Sequence, residues 1–234
     1  MKAKPGYEMS KNCRPRGNIL QGVAGATASQ RSLASSSLLA AGVFLTLHTT
    51  FALADALAPD GVGTCITCHG AHGEGSSAGA PRLAGQNADY MSHALSMFKA
   101  GTRASQIMQP IARTLSDTEM RGLADFFATQ KAPLIDAGAS ASPQLVLAGR
   151  QLAETGAANT AACFSCHAAE GKGNGARFPS IAGEPARFLI ERLHEFQGRA
   201  QSGTSRPGSM TAVAATLDER QIEAAAAYLS ELQP

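Results

Sequence analysis

The sequence has little of the material that usually fills a large protein core. It contains no Trp, and aromatic residues make up 5% of its 234 positions. It also lacks the sustained alternation of apolar and polar residues that predicts β-strands. These absences exclude a sheet protein with an aromatic-rich core. Small helical domains commonly gain the missing apolar bulk from a metal or a cofactor.

Clustered positive charge is missing after residue 54. The first 54 residues hold six of the 20 Lys and Arg and one of the 18 acidic residues, so the remainder carries 14 basic and 17 acidic side chains. Nucleic-acid binding needs a dense basic patch, and the sequence therefore predicts no nucleic-acid partner. The overall pI of 8.3 reflects the basic N-terminal segment.

The apolar run Leu38–Leu47 is too short to span a bilayer comfortably. It follows a basic stretch and precedes the small-residue pattern Ala52-Leu53-Ala54. This order is typical of an export signal, so residues 1–54 are predicted to direct export and to be cleaved after Ala54. Retention of the segment as a membrane anchor is the alternative. The segment has no Arg-Arg pair, which argues against the twin-arginine export route.

The cysteines after residue 54 form two pairs, each followed by His. The first motif contains Cys65, Cys68 and His69, and the second contains Cys163, Cys166 and His167. This C-x-x-C-H pattern is typical of c-type haem attachment. Two thiols one helical turn apart can reach the two vinyl groups of one porphyrin, while the adjacent imidazole meets the iron. The sequence therefore predicts two covalently bound haem c groups.

Other uses of paired cysteines explain the pattern less well. A disulfide framework suits an exported protein but gives no reason for a His after each pair. A thioredoxin-like motif expects a βαβ context, and no strand-like run surrounds either pair. A zinc site needs four ligands converging on one ion, whereas each His here directly follows a Cys.

An internal repeat connects the two motifs, which are 98 residues apart. At that offset the sequence pairs Gly73 with Gly171, Gly75 with Gly173, Pro81 with Pro179, Leu83 with Ile181, Gly85 with Gly183, Tyr90 with Phe188, Leu95 with Leu193 and Phe98 with Phe196. Beyond Phe98 the offset becomes 102 and pairs Met108 with Met210, Ala112 with Ala214 and Leu115 with Leu217. The chain is therefore predicted to contain a duplicated domain rather than a solenoid of short repeats.

The repeat also selects the second axial ligand of each iron. Met210 is the only Met of the second half, and Met108 is the only Met of the first half that aligns with it. The predicted axial pairs are thus His69 with Met108 and His167 with Met210. The remaining first-half methionines, Met91, Met97 and Met120, are interpreted as packing residues. His72, His93 and His194 do not recur in the repeat and are interpreted as surface or packing residues.

The smaller recurring residues support the same sites. A metal-bound His normally donates its other ring N–H to a carbonyl, and the carbonyls near Pro81 and Pro179 are the predicted acceptors. The recurring glycines, Gly73, Gly75, Gly171 and Gly173, are expected to let the backbone turn tightly beside the ring.

The predicted fold class is all-α, with two tandem cytochrome c-like domains, each wrapped around one covalently attached haem. The predicted domains are residues 55–128 and 143–234, separated by a linker at 129–142 that is rich in Ala, Gly, Ser and Pro. Predicted helices cover about 88–99 and 186–197, and a further one covers about 143–154. Each half ends in a helix with a capping box, Ser116 to Glu119 and Asp218 to Gln221.

These motifs resemble those of the dihaem cytochrome c4 family. The resemblance rests on the two C-x-x-C-H motifs, on Pro81-Arg82-Leu83-Ala84-Gly85-Gln86 followed by Tyr90, and on a Met seven residues before Leu115 and before Leu217. It implies two class I cytochrome c domains about a pseudo-twofold axis, His/Met ligation and electron delivery in the periplasm towards terminal oxidases. The chain departs from the pattern at Gly183-Glu184, where Glu replaces Gln, and in its short first helix. These departures bear on the tuning and exposure of each haem.

His/Met ligation favours an electron carrier over an enzyme. A thioether ligand favours Fe(II) and raises the potential, and two filled axial positions leave no site for a small-molecule substrate at the iron. The predicted partners are redox proteins such as a membrane-bound oxidase or dehydrogenase, and association with a membrane surface is left open. The alternatives are the haem c subunit of a flavocytochrome dehydrogenase of the sulfide-oxidising type and a dihaem peroxidase with an open or bis-His site.

Overall fold

Helices joined by loops make up the part of the chain that the structure describes. A computed structural model describes residues 58–135, 141–204 and 208–234. The predicted export signal and part of the predicted linker lie outside these ranges. Within them there is no strand, and two isolated β-bridges are the only β pairing. The all-α prediction is confirmed.

Four helices form the first half. They are α1 (Val62–His69), α2 (Ala88–Ala100), α3 (Met108–Thr114) and α4 (Asp117–Thr129). Helix α2 packs against both α3 and α4. The helix predicted over 88–99 is α2.

Five α-helices and a short 3-10 helix at Ala169–Gly171 lie in the described residues of the second half. The α-helices are α5 (Pro143–Thr155), α6 (Phe164–His167), α7 (Ala186–Arg199), α8 (Met210–Ala214) and α9 (Glu219–Glu231), with a π-helical turn at Ala200–Thr204 after α7. Helix α7 packs against α8 and α9, as α2 packs against α3 and α4. The helices predicted over 143–154 and 186–197 are α5 and α7. None of the described helices is long and apolar enough to cross a membrane.

Side-chain caps fix where the longer helices begin. Both predicted capping boxes are present: Ser116 and Glu119 bond reciprocally at the start of α4, and Asp218 and Gln221 do so at the start of α9. The Asn87 side chain accepts the backbone N–H of Tyr90 at the start of α2. These caps satisfy N–H groups that the first turn of a helix leaves without a partner.

The two halves build their cores differently. In the second half α5 packs closely on α9, and the apolar cluster there comprises Leu152, Ala153, Leu189, Leu217, Ile222, Ala225, Ala226 and Leu229. In the first half the described chain begins just before α1, and the matching cluster is Met91, Ala124 and Phe127. Among the described residues, the first half therefore has the smaller apolar cluster.

The predicted linker is anchored where the structure describes it. The buried Arg82 guanidinium donates to the carbonyls of Ala132 and Pro133, the second at 2.8 Å. The Leu134 side chain lies against Gly183 of the second half. Residues 130–135 therefore contact both halves.

We expect Gly149→Ala to destabilise the second half. Gly149 lies where α5 meets α9, and an added Cβ would come within 1.9 Å of the Ala224 carbonyl oxygen. Forcing the helices apart should cost about 1–3 kcal/mol of unfolding free energy, measurable by denaturant titration.

The matched control is Gly198→Ala in α7, where an added Cβ meets nothing within 4 Å. That change should leave stability unchanged or raise it by about 0.4–1 kcal/mol. Equal effects of the two substitutions would contradict the packing described for α5 and α9.

Candidate haem-binding sites

The first C-x-x-C-H motif lies on α1. Cys65 and Cys68 are one turn apart, and His69 is the last residue of the helix. Gly61 and Gly70 flank the helix, both with φ of 85°. Cys65 is half-buried and Cys68 is exposed, while His69 is 7% exposed. The motif thus presents two thiols and one imidazole from a single short helix.

The second motif repeats this placement. Cys163 immediately precedes the short helix α6, which carries Cys166 and ends at His167. Cys166 is exposed, Cys163 is half-buried, and His167 is 6% exposed. Burial raises the pKa of the Cys163 thiol to about 11 and also raises that of Cys65.

Both histidines make the predicted hydrogen bond. The His69 Nδ1–H donates to the Pro81 carbonyl oxygen at 2.8 Å, and the His167 Nδ1–H donates to that of Pro179 at 2.8 Å. A carbonyl can only accept, so the proton lies on Nδ1 and leaves Nε2 free for a metal. Burial lowers the pKa of both rings, which favours the neutral imidazole that binds iron.

The recurring glycines hold the proline loop beside the histidine. The Gly73 carbonyl accepts the N–H groups of Leu83 and Ala84, and the Gly171 carbonyl accepts those of Ile181 and Ala182.

Both glycines have positive φ, and the two that follow them, Gly75 and Gly173, do as well. At Gly173 an added Cβ would come within 2.5 Å of the Ser180 nitrogen. The prediction of tight turns at these glycines is confirmed.

Met108 and Met210 occupy matching places. Each is the first residue of a short helix, α3 or α8, and each is half-buried. Met91 and Met120 are buried in the protein core, as the packing interpretation expects. No described contact tests the axial role of Met108 and Met210, which stays a prediction.

Two side chains that the sequence did not predict, one in each half, donate to the backbone just after the helix that begins with Met108 or Met210. These helices with the few residues after them are called the methionine segments. Lys99 Nζ donates to the Leu115 carbonyl at 2.6 Å, and Gln197 Nε2 donates to the Leu217 carbonyl at 2.9 Å. Each donor lies near the end of the middle helix, and each acceptor lies within three residues of the end of the short helix that begins with the methionine. Residues 99 and 197 are 98 apart, so the repeat contains a signal for this pair, but their different chemistry hides it.

The other three histidines of the described residues lie at the surface. His72 and His93 are exposed, and His194 is exposed with its Nε2 2.9 Å from a Glu219 carboxylate oxygen. Their interpretation as surface or packing residues agrees with the structure.

The surroundings of both motifs fit a haem. Apolar side chains beside each motif are only partly covered by protein: Val62, Ile66, Leu83 and Tyr90 in the first half, and Phe164, Ile181, Ile190 and Leu193 in the second. Next to Met108, Ile107 is 66% exposed. Two thiols, one oriented imidazole and a partly covered apolar wall are the groups that covalent haem requires.

Comparisons with known proteins agree with this geometry. The cytochrome c family model matches residues 55–131 and again residues 147–233. The chain is 38% identical to the thiosulfate dehydrogenase electron acceptor of Stutzerimonas stutzeri strain A1501, over 72% of this chain and 78% of the relative. It is 32% identical to cytochrome c4 of Azotobacter vinelandii, over 81% of this chain and 96% of the relative.

A solved structure shows the same architecture. Cytochrome c4 of Acidithiobacillus ferrooxidans matches with a TM-score of 0.64 and 32% sequence identity, covering 73% of this chain and 99% of that one. The match extends over the whole of that dihaem protein rather than over one half. Sequence and fold thus agree on two tandem domains that bind haem c.

We expect Lys99→Met and Gln197→Met each to weaken the site in its own half. Either change leaves a partly buried carbonyl without its donor, which should cost about 1–3 kcal/mol. Because that carbonyl adjoins a methionine-bearing segment, thermal titration of the far-red band of methionine-ligated ferric haem should show earlier loss for one haem of the two.

Lys131→Met is the control, because Lys131 is exposed and lies beyond α4. A variant at residue 99 or 197 that behaves like this control would show that the carbonyl contact does not hold the methionine segment.

Proposed function

Because the chain belongs to the dihaem cytochrome c4 family of electron-transfer proteins, we propose that it carries single electrons in the periplasm from a dehydrogenase to a terminal oxidase or a similar acceptor. The observation that carries this proposal is the duplicated site: one C-x-x-C-H motif in each half, with its His bonded at 2.8 Å to an equivalent Pro carbonyl. A single site would suffice for attachment, whereas two sites in one chain suit stepwise transfer.

The proposed attachment uses Cys65 and Cys68 for the first haem and Cys163 and Cys166 for the second. The proposed axial ligands are His69 with Met108 and His167 with Met210. Bound haem supplies a reversible one-electron iron couple. The chain's own residues orient the imidazoles, hold the methionine segments and cover the rings with apolar side chains.

The proposed role is that of a carrier without catalysis at the iron. Two axial side chains from the protein leave no position for a substrate, and a thioether ligand raises the potential into a range that suits an electron acceptor. Transfer then needs a small, transient contact with each redox partner. The similarity to cytochromes c4 supports this choice over the peroxidase alternative.

A specific observation favours one class of electron donor. A relative with 38% identity is named as the electron acceptor of thiosulfate dehydrogenase, and a second relative of that name, from Thiomonas intermedia, is 33% identical. We therefore propose a sulfur-oxidising dehydrogenase of this kind as donor. This donor is an alternative to a purely respiratory donor. In this proposal the chain is a separate electron acceptor and not the haem c subunit of a flavocytochrome.

The proposed periplasmic location rests on the N-terminal sequence. The basic stretch, short apolar run and small residues before Asp55 are the parts of an export signal. Haem attachment to paired thiols after export is consistent with this order.

The axial assignment predicts a matched pair of spectral losses. Met108→Ala and Met210→Ala should each remove half of the weak far-red band of ferric haem and should each open one haem to CO after reduction. Wild type should bind no CO at ordinary speed. Absorption spectra of the purified protein measure both effects.

Met91→Leu serves as the control, since Met91 is buried in the core and the swap preserves volume. It should keep the full band. An unchanged band in both alanine variants would reject the methionine ligands, and rapid CO binding by wild type would favour the peroxidase alternative.

The donor assignment predicts rapid reduction by a thiosulfate-oxidising enzyme. Stopped-flow mixing of the oxidised protein with a purified thiosulfate dehydrogenase and thiosulfate should reduce both haems, more slowly as salt screens the contact. If only a chemical reductant such as ascorbate reduces the protein, this donor is wrong.

A further inference from the structure

The two halves exchange hydrogen bonds through side chains that are almost fully buried. Gln86 in the first half is 5% exposed; its Nε2 donates to the Ser180 carbonyl at 3.0 Å, and its Oε1 accepts the Ser180 N–H at 3.0 Å. Glu184 in the second half is also 5% exposed, and its Oε2 accepts the Arg82 N–H at 2.9 Å. Each half thus contributes one long side chain that bonds the backbone of the other half.

The two contacts join equivalent positions of the internal repeat. In the repeat Gln86 aligns with Glu184, and Arg82 aligns with Ser180, both at an offset of 98. The side chain at the first position of each half therefore accepts the backbone N–H at the second position of the opposite half. The chemical difference between the two copies is an amide in one and a carboxyl in the other.

The N–H groups that these side chains bind belong to the peptide units that hold the histidines. The Pro81–Arg82 unit accepts from His69 Nδ1–H through its carbonyl and donates to Glu184 through its N–H. The Pro179–Ser180 unit likewise accepts from His167 and donates to Gln86. One peptide unit therefore separates each histidine from a side chain of the other half.

A peptide unit can transmit the strength of one hydrogen bond to the other. Its C–N bond has partial double-bond character, so a stronger acceptor at the N–H shifts electron density onto the carbonyl oxygen. Hydrogen bonds in a chain strengthen one another in this way. A stronger carbonyl acceptor makes the imidazole a more basic ligand, which stabilises ferric iron and lowers the potential.

We propose that these crossed relays, Glu184 to His69 and Gln86 to His167, tune the two haems from opposite halves. The carboxylate of Glu184 lowers the potential of the first-half haem by more than the amide of Gln86 lowers that of the second-half haem. Gln86 and Glu184 act as positioning residues, since neither touches a histidine directly. The inference rests on the axial ligation proposed above.

The Arg82 side chain uses other acceptors, so the Glu184 carboxylate is available to accept the Arg82 backbone N–H. The Arg82 guanidinium directs its own hydrogen bonds to the carbonyls of Ala84, Ala132 and Pro133. Burial raises the pKa of Glu184 to about 8, against the opposing charges of Arg82 and Arg103. Potentials are therefore compared at a pH above that value, where the group is ionised.

Three variants separate a relay from a simple electric field. Glu184→Gln keeps an oxygen for the Arg82 N–H but removes the charge. Glu184→Asp keeps the charge but, being one methylene shorter, withdraws it from the N–H. Gln86→Glu replaces the amide of the second relay with a carboxyl and removes its donor to the Ser180 carbonyl, so this variant is compared at a pH at which the new carboxyl is ionised. Folding of the Gln variant is expected, because Gln already occupies the equivalent position 86.

The measurement is a redox titration of the full dihaem protein, followed by NMR so that the resonances of each haem report its own potential. Glu184→Gln and Glu184→Asp should both raise the first haem's potential, changing its ratio of oxidised to reduced form on the order of ten-fold, which equals 59 mV for one electron. The second haem should move less. Gln86→Glu should lower the second haem's potential.

Other outcomes overturn the proposal. If Glu184→Asp behaves like wild type while Glu184→Gln shifts, a through-space field explains the tuning. Equal shifts of both haems, or none, would also reject it. Failure of the proposed ligation would appear differently, as absence of the far-red band of methionine-ligated ferric haem from the wild-type spectrum before any variant is compared.

Discussion

The hydrogen bond between each motif histidine and a proline carbonyl is the contact on which the rest of the structure depends. It fixes the proton on Nδ1 and the orientation of the ring. Much of the local chain serves to place that carbonyl: the Gly73 and Gly171 carbonyls each accept two N–H groups from the segment just after the proline. Positive φ at these glycines allows the turn, so a small backbone requirement positions the imidazole of each motif.

Around this repeated contact the two halves have diverged. The second half buries a cluster between α5 and α9, whereas the first half has a smaller cluster centred on Phe127. Lys99 in one half and Gln197 in the other donate to the carbonyl of an equivalent Leu, although their side chains differ in chemistry. The contact of each motif histidine is the same in both halves, while the side chains around it differ, so one chain holds two similar sites in unlike environments.

Local patterns in the sequence predicted much of the fold and of the site. Capping boxes, helical periodicity and the acceptor of each histidine depend on residues close in sequence or fixed by the repeat. The role of Arg82 was not predictable in this way, because charged residues usually lie at the surface and two of its three acceptors, Ala132 and Pro133, are about fifty residues away. The crossed contacts of Gln86 and Glu184 depend likewise on how the halves meet, which no local pattern specifies.

The segment after α4 has a consequence for the position of each half. Arg82 holds the carbonyls of Ala132 and Pro133, and Leu134 lies against Gly183, so this stretch belongs to the interface instead of serving as a loose tether. A displacement of one half relative to the other would have to break these contacts, so each half constrains the position of the other.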